Sequence, residues 1–129
     1  MPKLVFTSKK GLTQESGSGI VIEKVNATAS GNAYTANGIC GILTTASLTT
    51  AAGATTATQT VTNNNVATSS NVFLVCRVGT SQTVNGTAVA HIDAVADGSF
   101  TFKITNIKGS GQALDDVVFV HYFDVKPNF

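Results

Sequence analysis

The chain carries little charge. Asp, Glu, Lys and Arg make up 12% of its 129 residues, which is about half of their share in an average globular protein. Threonine, serine, asparagine, alanine and glycine take the place of the charged residues. Because hydroxyl and amide side chains make a surface polar without charge, this composition is typical of extracellular, virion or adhesive β-proteins.

Clustered cations and long apolar runs are also missing. The eight Lys and Arg residues are scattered along the chain and the net charge is +1. Binding to phosphates requires clustered cations, so we expect no nucleic-acid partner. No apolar run approaches the length that spans a bilayer, and the N-terminus shows neither the apolar core nor the cleavage site of a secretory signal. We therefore expect no membrane partner and no secretory address.

Cysteine and proline are rare, with two residues of each. Cys40 and Cys76 lie in apolar, strand-like contexts, where buried thiols are common. A domain of this length does not depend on a disulfide, so we expect both thiols to be reduced. Pro2 and Pro127 lie outside every predicted strand, as expected where the interior backbone N–H groups pair in sheets.

What the sequence does contain is a series of strands. In residues 71–106 apolar runs alternate with the turn pairs Asn85-Gly86 and Asp97-Gly98. Glycine at a two-residue turn supplies a positive φ without steric cost, so this stretch predicts a meander of three consecutive antiparallel strands. The last of these strands alternates cleanly, and its predicted inward-facing residues are Phe100, Phe102 and Ile104.

Two runs, residues 72–78 and 117–125, are apolar at nearly every position. Strands with this pattern are expected to be covered on both faces. Counting an N-terminal run, about eight strands follow one another at the spacing of a sandwich, without helix caps. The sequence predicts an all-β domain of two packed antiparallel sheets, jelly-roll-like, with an immunoglobulin-like Greek key as the alternative. Residues 1–19 are predicted to form an extended arm, and residues 20–129 the sandwich.

Residues that carry chemistry are few. His91 and Asp93 share one face of a strand, but no nucleophile motif accompanies them, and an exposed pair is the simpler interpretation. His91 and His121 with Asp93 or Asp124 lack the spacing of a zinc site, and Asp115-Asp116 lacks that of a calcium loop. We expect no enzymatic activity, no catalytic residues, no cofactor and no metal. A metal on the axis of a symmetric trimer is the one arrangement that a single chain would not reveal.

Several segments from about Gly38 onward stand in a recognisable order. They are SLTTAAG at 47–53, TQTVTN at 58–63, the apolar run at 72–78, GTAV at 86–89, ADGSF at 96–100, Asn106 with Ala113-Leu114, and VHYF at 120–123. Each segment alone is a weak match, because it is rich in Thr, Ala and Gly. In this order, the segments resemble a group of small β-proteins found in tailed-phage virions, especially those of cyanophages and other aquatic phages.

The resemblance implies a capsid decoration (cement) protein or a receptor-binding knob on a fibre, usually assembled as a trimer. It implies no catalytic residues. The expected partners are the major capsid protein and further copies of the chain in a homotrimer, and the expected location is the capsid surface of a virion assembled in the host cytoplasm. The N-terminal arm is expected to lie across a neighbouring subunit. The residues predicted to make subunit contacts are Leu4, Val5, Phe6, Phe123 and Phe129.

Two other functions remain open at this level. One is a trimeric adhesin knob that binds a host glycan through loops at residues 63–70 and 80–85, where asparagine and serine are adaptable hydrogen-bonding residues. The other is a small hydrolase that uses His91 and Asp93. Copy number per particle separates decoration from adhesion, and unchanged behaviour of a His91→Ala variant would exclude the hydrolase.

Overall fold

The structure, a computed structural model, describes residues 24–79 and 86–126, together with the backbone of residues 4–7 and 11–14. Every regular element in these residues is a β-strand. The ten strands are β1 Leu4–Thr7, β2 Gly11–Gln14, β3 Val25–Thr28, β4 Ala33–Thr35, β5 Cys40–Thr44, β6 Gln59–Thr62, β7 Asn71–Val78, β8 Ala88–Ala96, β9 Ser99–Asn106 and β10 Val118–Val125.

Eight of these strands form two four-stranded sheets packed as a sandwich. The first sheet has the order β3-β5-β10-β7 and the second has the order β4-β6-β9-β8, while β1 and β2 pair only with each other. The predicted all-β, two-sheet sandwich is confirmed, and the strand orders are compatible with a jelly-roll-like arrangement. Both sheets are mixed rather than purely antiparallel, because β3 runs parallel to β5 and β4 runs parallel to β6.

The core lies between the two sheets and is densest under β9 and β10. Phe100, Phe102 and Ile104 are fully buried on the inner face of β9, as their alternation predicts. The Phe100 ring packs on Tyr122 of β10, with 5.6 Å between the ring centroids. Tyr34 packs on Phe102 from the second sheet's edge strand β4, with 5.9 Å between the centroids. Aromatic rings therefore join both sheets through the centre of the sandwich.

The predicted three-stranded meander is only partly correct. β8 and β9 form an antiparallel hairpin through Asp97-Gly98, where Gly98 has a φ of 78°. β7 pairs along its whole length with β10 instead of β8, so the chain changes sheets between β7 and β8. Gly86 does have a positive φ, but a Cβ there would meet the side chain of Asn106 at 2.9 Å. This glycine marks a close approach between chain segments rather than a two-residue hairpin.

The prediction that residues 72–78 and 117–125 are covered on both faces is wrong for the described residues. β7 is an edge strand whose outward side chains Phe73 and Val75 are 61% and 72% exposed. β10 lies inside the first sheet and buries Val118, Val120 and Tyr122 on its inner face, whereas Phe123 on its outer face is 41% exposed. Folding of this part of the chain therefore leaves an apolar sheet face in contact with solvent.

The N-terminal half contains shorter strands than the sequence indicates. Residues 27–37 are small and polar, which predicts a loop, yet they contain the end of β3 and all of β4, and Tyr34 is buried. The alternating residues 20–26 predict a strand; β3 begins at Val25, and residues 20–23 lie outside the described part. In β6, Thr60 and Thr62 face solvent, while Gln59 and Val61 face the core.

Candidate interaction surface

The residues predicted to make subunit contacts are only partly described. Phe123 lies on the outer face of β10, where it is directly opposite Phe73 of β7. Leu4, Val5 and Phe6 fall in β1, whose side chains lie outside the described part of the structure, as do Phe129 and the predicted recognition loop at residues 80–85. The described residues nevertheless show a surface that extends well beyond Phe123.

This surface is the outer face of the first sheet, and we call it the apolar face. Its two central rows pair Phe73 with Phe123 and Val75 with His121 across β7 and β10. On the next strand, Ile42 of β5 stands opposite His121 and extends the patch. The apolar face consists of Ile42, Phe73, Val75, Phe119, Phe123 and Val125, with His121 among them.

Charge is nearly absent from the apolar face. Arg77 is the only charged residue among its outward strand positions, and its guanidinium carbon lies 4.3 Å from the centroid of the Phe119 ring. The interaction of a guanidinium with the face of an aromatic ring is favourable, so Arg77 lies against Phe119 at one end of the apolar face. The other end carries the uncharged row of Asn71 and Val125. No Asp or Glu occupies an outward position of the four strands.

The outer face of the second sheet has the opposite character. Its outward positions are mostly small or polar and hold a row of threonines, with an ion pair between Lys103 Nζ and Asp93 Oδ1 at 2.9 Å. Val89 of β8, which is 41% exposed, is the one large apolar side chain among the outward positions of these four strands. The outward threonines are Thr35, Thr60, Thr62, Thr101 and Thr105. A surface of this kind is hydrated without cost and needs no partner. The two faces of one sandwich thus present unlike surfaces to their surroundings.

The edge strands of the two sheets also differ. β8 is irregular, with a register shift between Ile92 and Ala94, and it exposes His91 and Asp93. Bulges and charges of this kind protect an edge from pairing with another chain. β7 pairs regularly with β10 over all eight residues and carries one charged residue, Arg77. Among the described residues, nothing beyond Arg77 protects the β7 edge of the apolar face.

The structure does not assemble the predicted histidine and carboxylate residues into a site. His91 and Asp93 are exposed on β8, and the Asp93 carboxylate is engaged by Lys103. His121 lies on the outer face of the other sheet, so the two histidines are separated by the sandwich. Among the described residues, no group of three or more His, Cys, Asp and Glu side chains is close enough to hold a metal ion.

Neither cysteine forms a disulfide, as predicted. Cys76 lies on the inner side of β7, and its Sγ donates a hydrogen bond to the carbonyl oxygen of Ala88 at 3.3 Å. Burial raises the pKa of the Cys76 thiol, although a hydrogen bond with the backbone of Ala90 acts in the opposite direction. A raised pKa keeps the thiol protonated and unreactive. Cys40 lies on β5, with β10 between it and β7, so the two thiols are far from disulfide geometry.

The burial of Asp124, considered above only as a metal ligand, was not predicted from the sequence. Its side chain is 5% exposed on the inner face of β10, and neither carboxylate oxygen accepts a hydrogen bond among the described residues. Burial raises the pKa of neighbouring Tyr122 to about 12, with smaller contributions from the charges of Cys40 and Asp124. A carboxylate within an apolar pattern was visible in the sequence, but only the strand register shows that it faces inward.

The loop at residues 63–70 is hydrogen-bonded to the β8–β9 turn at one end of the sandwich. Asp97 in the β8–β9 turn accepts hydrogen bonds from the backbone N–H and the hydroxyl of Thr68, both at 2.8 Å. These hydrogen bonds lower the pKa of Asp97. Asn64, Thr68 and Ser69 are exposed, so the loop presents polar groups on a fixed backbone.

An open cleft of about 340 Å³ lies between the edge strands β3 and β4. Its lining residues are Ala27, Thr28, Ser30, Ala33, Tyr34, Thr35 and Thr62. None of them is a His, Cys, Asp, Glu or Lys, and the Tyr34 hydroxyl already donates a hydrogen bond to Gln59 Oε1 at 3.0 Å. The cleft therefore offers hydroxyl groups but no acid, base or nucleophile pair.

The described part of the chain contains no helix with the length and apolarity needed to cross a membrane. Comparison of the chain with protein-family models, with curated proteins and with solved structures yields no match.

Proposed function

We propose that this protein is a non-enzymatic structural protein of a tailed-phage virion that decorates the capsid surface and stabilises the shell. The observation that carries the proposal is the apolar face, since a contiguous exposed apolar patch marks an interaction surface. The order of segments that resembles small virion β-proteins supports the same conclusion. The low charge of the chain suits contacts made by apolar patches and strand pairing.

The proposed mechanism is thermodynamic linkage. A decoration protein binds the assembled shell better than its separated subunits, so its binding free energy adds to the stability of the shell. At a free concentration one hundred times the dissociation constant, each site contributes about 2.7 kcal/mol. Because one particle carries many such sites, their contributions to the stability of the shell add up. In this proposal the partners are the major capsid protein and other copies of the chain, and Leu4, Val5 and Phe6 of the arm add contacts to a neighbouring subunit.

The experiment that tests this function is the copy number of the chain in purified virions of the phage that encodes it. Quantitative mass spectrometry against the major capsid protein gives the ratio directly. Decoration requires a ratio near one copy per shell subunit, or one fixed group of copies per lattice position. A handful of copies per particle would overturn decoration, because so few copies would leave most of the shell without the stabilising contacts.

The second candidate function is a receptor-binding knob. The loop at residues 63–70, which Thr68 joins to Asp97 by two hydrogen bonds, favours it. A fixed backbone that presents asparagine, threonine and serine can bind a glycan with little loss of conformational entropy. In this alternative, Asn64→Ala and Ser69→Ala would abolish binding of the purified protein to host cells or to glycans on an array. Thr60→Ala on the polar outer face of the second sheet is the matched control. Equal binding of all three variants would exclude this loop as the receptor site.

A further inference from the structure

We propose that the apolar face binds the same face of a second copy of this chain across a two-fold axis. The proposal goes beyond capsid decoration, because it concerns how copies of the chain associate. In such a pair the apolar face is covered by the second copy, so contacts of a decorating pair with the shell would fall to other surfaces of the chain. It also differs from the homotrimer implied by the resemblance to virion proteins. Three properties of the face carry the inference: its pattern of burial, its area and the distribution of its polar ends.

The burial pattern indicates that something covers this face. The runs at 72–78 and 117–125 have the composition of strands covered on both sides, yet Phe73, Val75, Phe123 and Val125 are exposed in the single chain. The β7 edge also lacks the bulge of the β8 edge, and Arg77 near one end is its one charged residue. Since natural edge strands and sheet faces of this kind are either protected or buried, the first sheet is built to be buried in an assembly.

The area of the apolar face matches what a stable pair of copies requires. With about 150–250 Å² for a large side chain, the exposed fractions of Phe73, Val75, Phe123 and Val125 give on the order of 400 Å². Ile42 and Phe119 add partly buried surface to this patch. A standard interface buries about 800 Å² per partner, of which about 65% is apolar in homodimers. The patch thus supplies most of the apolar area on one side of such an interface.

The polar ends of the face make it complementary to itself. Arg77 lies in the row at one end and Asn71 lies in the row at the other end, with Phe73 and Val75 between them. A two-fold axis in the interface, perpendicular to the strands, places β7 over the second copy's β7 in the reverse direction. Arg77 then faces the second copy's Asn71, an uncharged hydrogen-bond acceptor, and the two arginines stay at opposite ends. No like charges are brought together.

The same axis places unlike side chains opposite one another. Phe73 lies over the second copy's Val75, and Phe123 lies over its His121, because the two central rows exchange places. Alternation of large and small groups across facing sheets is how sandwich cores interdigitate. A heterologous partner would have to supply this alternation by coincidence, whereas a second copy supplies it by symmetry.

The first experiment measures the mass of the full-length chain in solution by sedimentation equilibrium. We expect a species with twice the 13.2 kDa chain mass. Val75→Lys places a charge in the centre of the contact and is expected to give a monomer. The matched control is Thr60→Lys on the exposed outer side of β6, which should remain dimeric. Both positions are outward-facing in the single chain, so neither substitution disturbs the core, and thermal unfolding followed by circular dichroism verifies this.

A charge-exchange experiment tests the register of the pair. Phe73→Glu alone and Val75→Lys alone are each expected to be monomeric. Mixing the two variants in equal amounts should restore a dimer, because the introduced glutamate of one chain faces the introduced lysine of the other. The mixed pair has a second contact of this kind, and it is native: the Phe73→Glu chain keeps Val75, which faces the Phe73 that the Val75→Lys chain keeps. Failure of mixing to restore association would overturn the two-fold register.

The other outcomes are equally decisive. A monomer at every concentration would overturn the proposal and leave the N-terminal segment or the shell as the occupant of the face. A trimer, or a dimer that Val75→Lys does not dissociate, would also overturn it. The capsid proposal is tested separately: a dimer broken by Val75→Lys together with a low copy number in virions would contradict decoration while supporting the two-fold pair.

Discussion

Tyr34 and Tyr122 tie core aromatic rings to specific polar partners. The Tyr34 hydroxyl donates a hydrogen bond to the side chain of Gln59, and the Tyr122 hydroxyl lies 3.1 Å from the carbonyl oxygens of both Ala36 and Gly38. Burial raises the pKa of each phenol from 10.0 to about 12. Because these hydroxyls act as donors, they stabilise the fold only while they are protonated.

This geometry predicts a loss of stability at alkaline pH. A phenol whose pKa rises on folding binds its proton more tightly in the folded state. Its contribution is complete below the unfolded value of 10.0 and is lost as the pH rises towards about 12. The free energy of unfolding, measured by urea denaturation, should therefore decline across this interval. A Tyr34→Phe, Tyr122→Phe double variant should be less stable at neutral pH, by about 1 kcal/mol for each lost hydrogen bond, and should decline less. An equal alkaline decline in both proteins would contradict the assignment.

The side chain of Asn106, at the end of β9, is buried and makes hydrogen bonds to the backbone of neighbouring loops. Its Oδ1 accepts hydrogen bonds from the backbone N–H groups of Thr87 and Lys108, at 3.1 and 3.2 Å. Its Nδ2 donates to the carbonyl oxygens of Thr50 and Gln112, at 3.2 and 2.9 Å. One amide therefore hydrogen-bonds to backbone groups from three different loops. The carbonyl oxygen of Thr50 also accepts a hydrogen bond from the N–H of Leu114 at 2.7 Å, so the groups that depend on Asn106 are those of Thr87, Lys108 and Gln112.

We predict that Asn106→Ala lowers the free energy of unfolding by at least about 3 kcal/mol, because it leaves several buried groups without partners. Urea denaturation at neutral pH measures the change. Asn26→Ala is the matched control, since Asn26 is exposed on β3 and its loss should change stability by less than about 0.5 kcal/mol. Similar values for the two variants would show that water replaces the Asn106 hydrogen bonds.

At the scale of elements, local signals in the sequence predict local structure. Asp97-Gly98 predicts the β8–β9 turn, and the alternation of Phe100, Phe102 and Ile104 predicts which side of β9 is buried. The partner of β7 was not predictable in this way, because β7 pairs with β10, and local patterns carry no information about a partner so distant along the chain. The short strand β4 was missed because it carries too few apolar residues to show a period, and the strand predicted at 20–26 overlaps β3 only at Val25 and Asn26.

The candidate interaction surface shows the same limit, because local patterns predict its apolar residues but not what they meet. Phe123 was predicted to be a contact residue from its place in an apolar run, and the structure places it on an exposed face. Phe73 and Val75 were assigned to a covered strand, because a run that is apolar on both sides looks the same whether its own chain or another chain covers it. Sequence alone therefore does not show whether both faces of such a strand are covered within its own chain.

Gly41 allows the edge strand β3 to pair with β5, because it has no side chain. It lies in β5, opposite Val25 of β3 and Tyr122 of β10. A Cβ at this position would overlap the carbonyl oxygen of Val25 and approach the Tyr122 ring to 2.7 Å. The aromatic ring covers the glycine, and the missing side chain lets the parallel edge strand β3 come close.

We predict that Gly41→Ala destabilises the fold by about 2 kcal/mol or more, because both groups that it contacts belong to packed strands. Hydrogen exchange should quicken most in β3, since the overlap acts on its backbone. Gly109→Ala is the control, because a Cβ at Gly109 would have nothing within 4 Å and the φ of this glycine is not positive. Normal protection of β3 in Gly41→Ala would contradict the proposed close approach.

At the scale of the whole molecule, the sandwich is asymmetric. One outer face is a row of threonines with a single ion pair among the described residues, and the other is apolar with one arginine at its end. Both sheets have the same inner role, which is to cover the core, so the difference between their outer faces reflects what each meets outside the chain. In both proposals made above, the apolar face is the one that another molecule covers, and the polar face is the one directed to solvent.

This asymmetry leads to a prediction about ionic strength. With a net charge of +1 and 12% charged residues, the chain has few charges to bring to a capsid surface, so the proposed shell binding must rest on apolar contacts and strand pairing. Raising the ionic strength from about 0.01 to about 1 M shortens the Debye length from about 30 to about 3 Å and screens surface charge pairs. The affinity for purified shells, measured by co-sedimentation, should change by less than about threefold over this range, because apolar burial is not weakened by added salt. A steep loss of binding with salt would mean that charged groups hold the protein on the shell, and the apolar contacts proposed here would then not be its means of attachment.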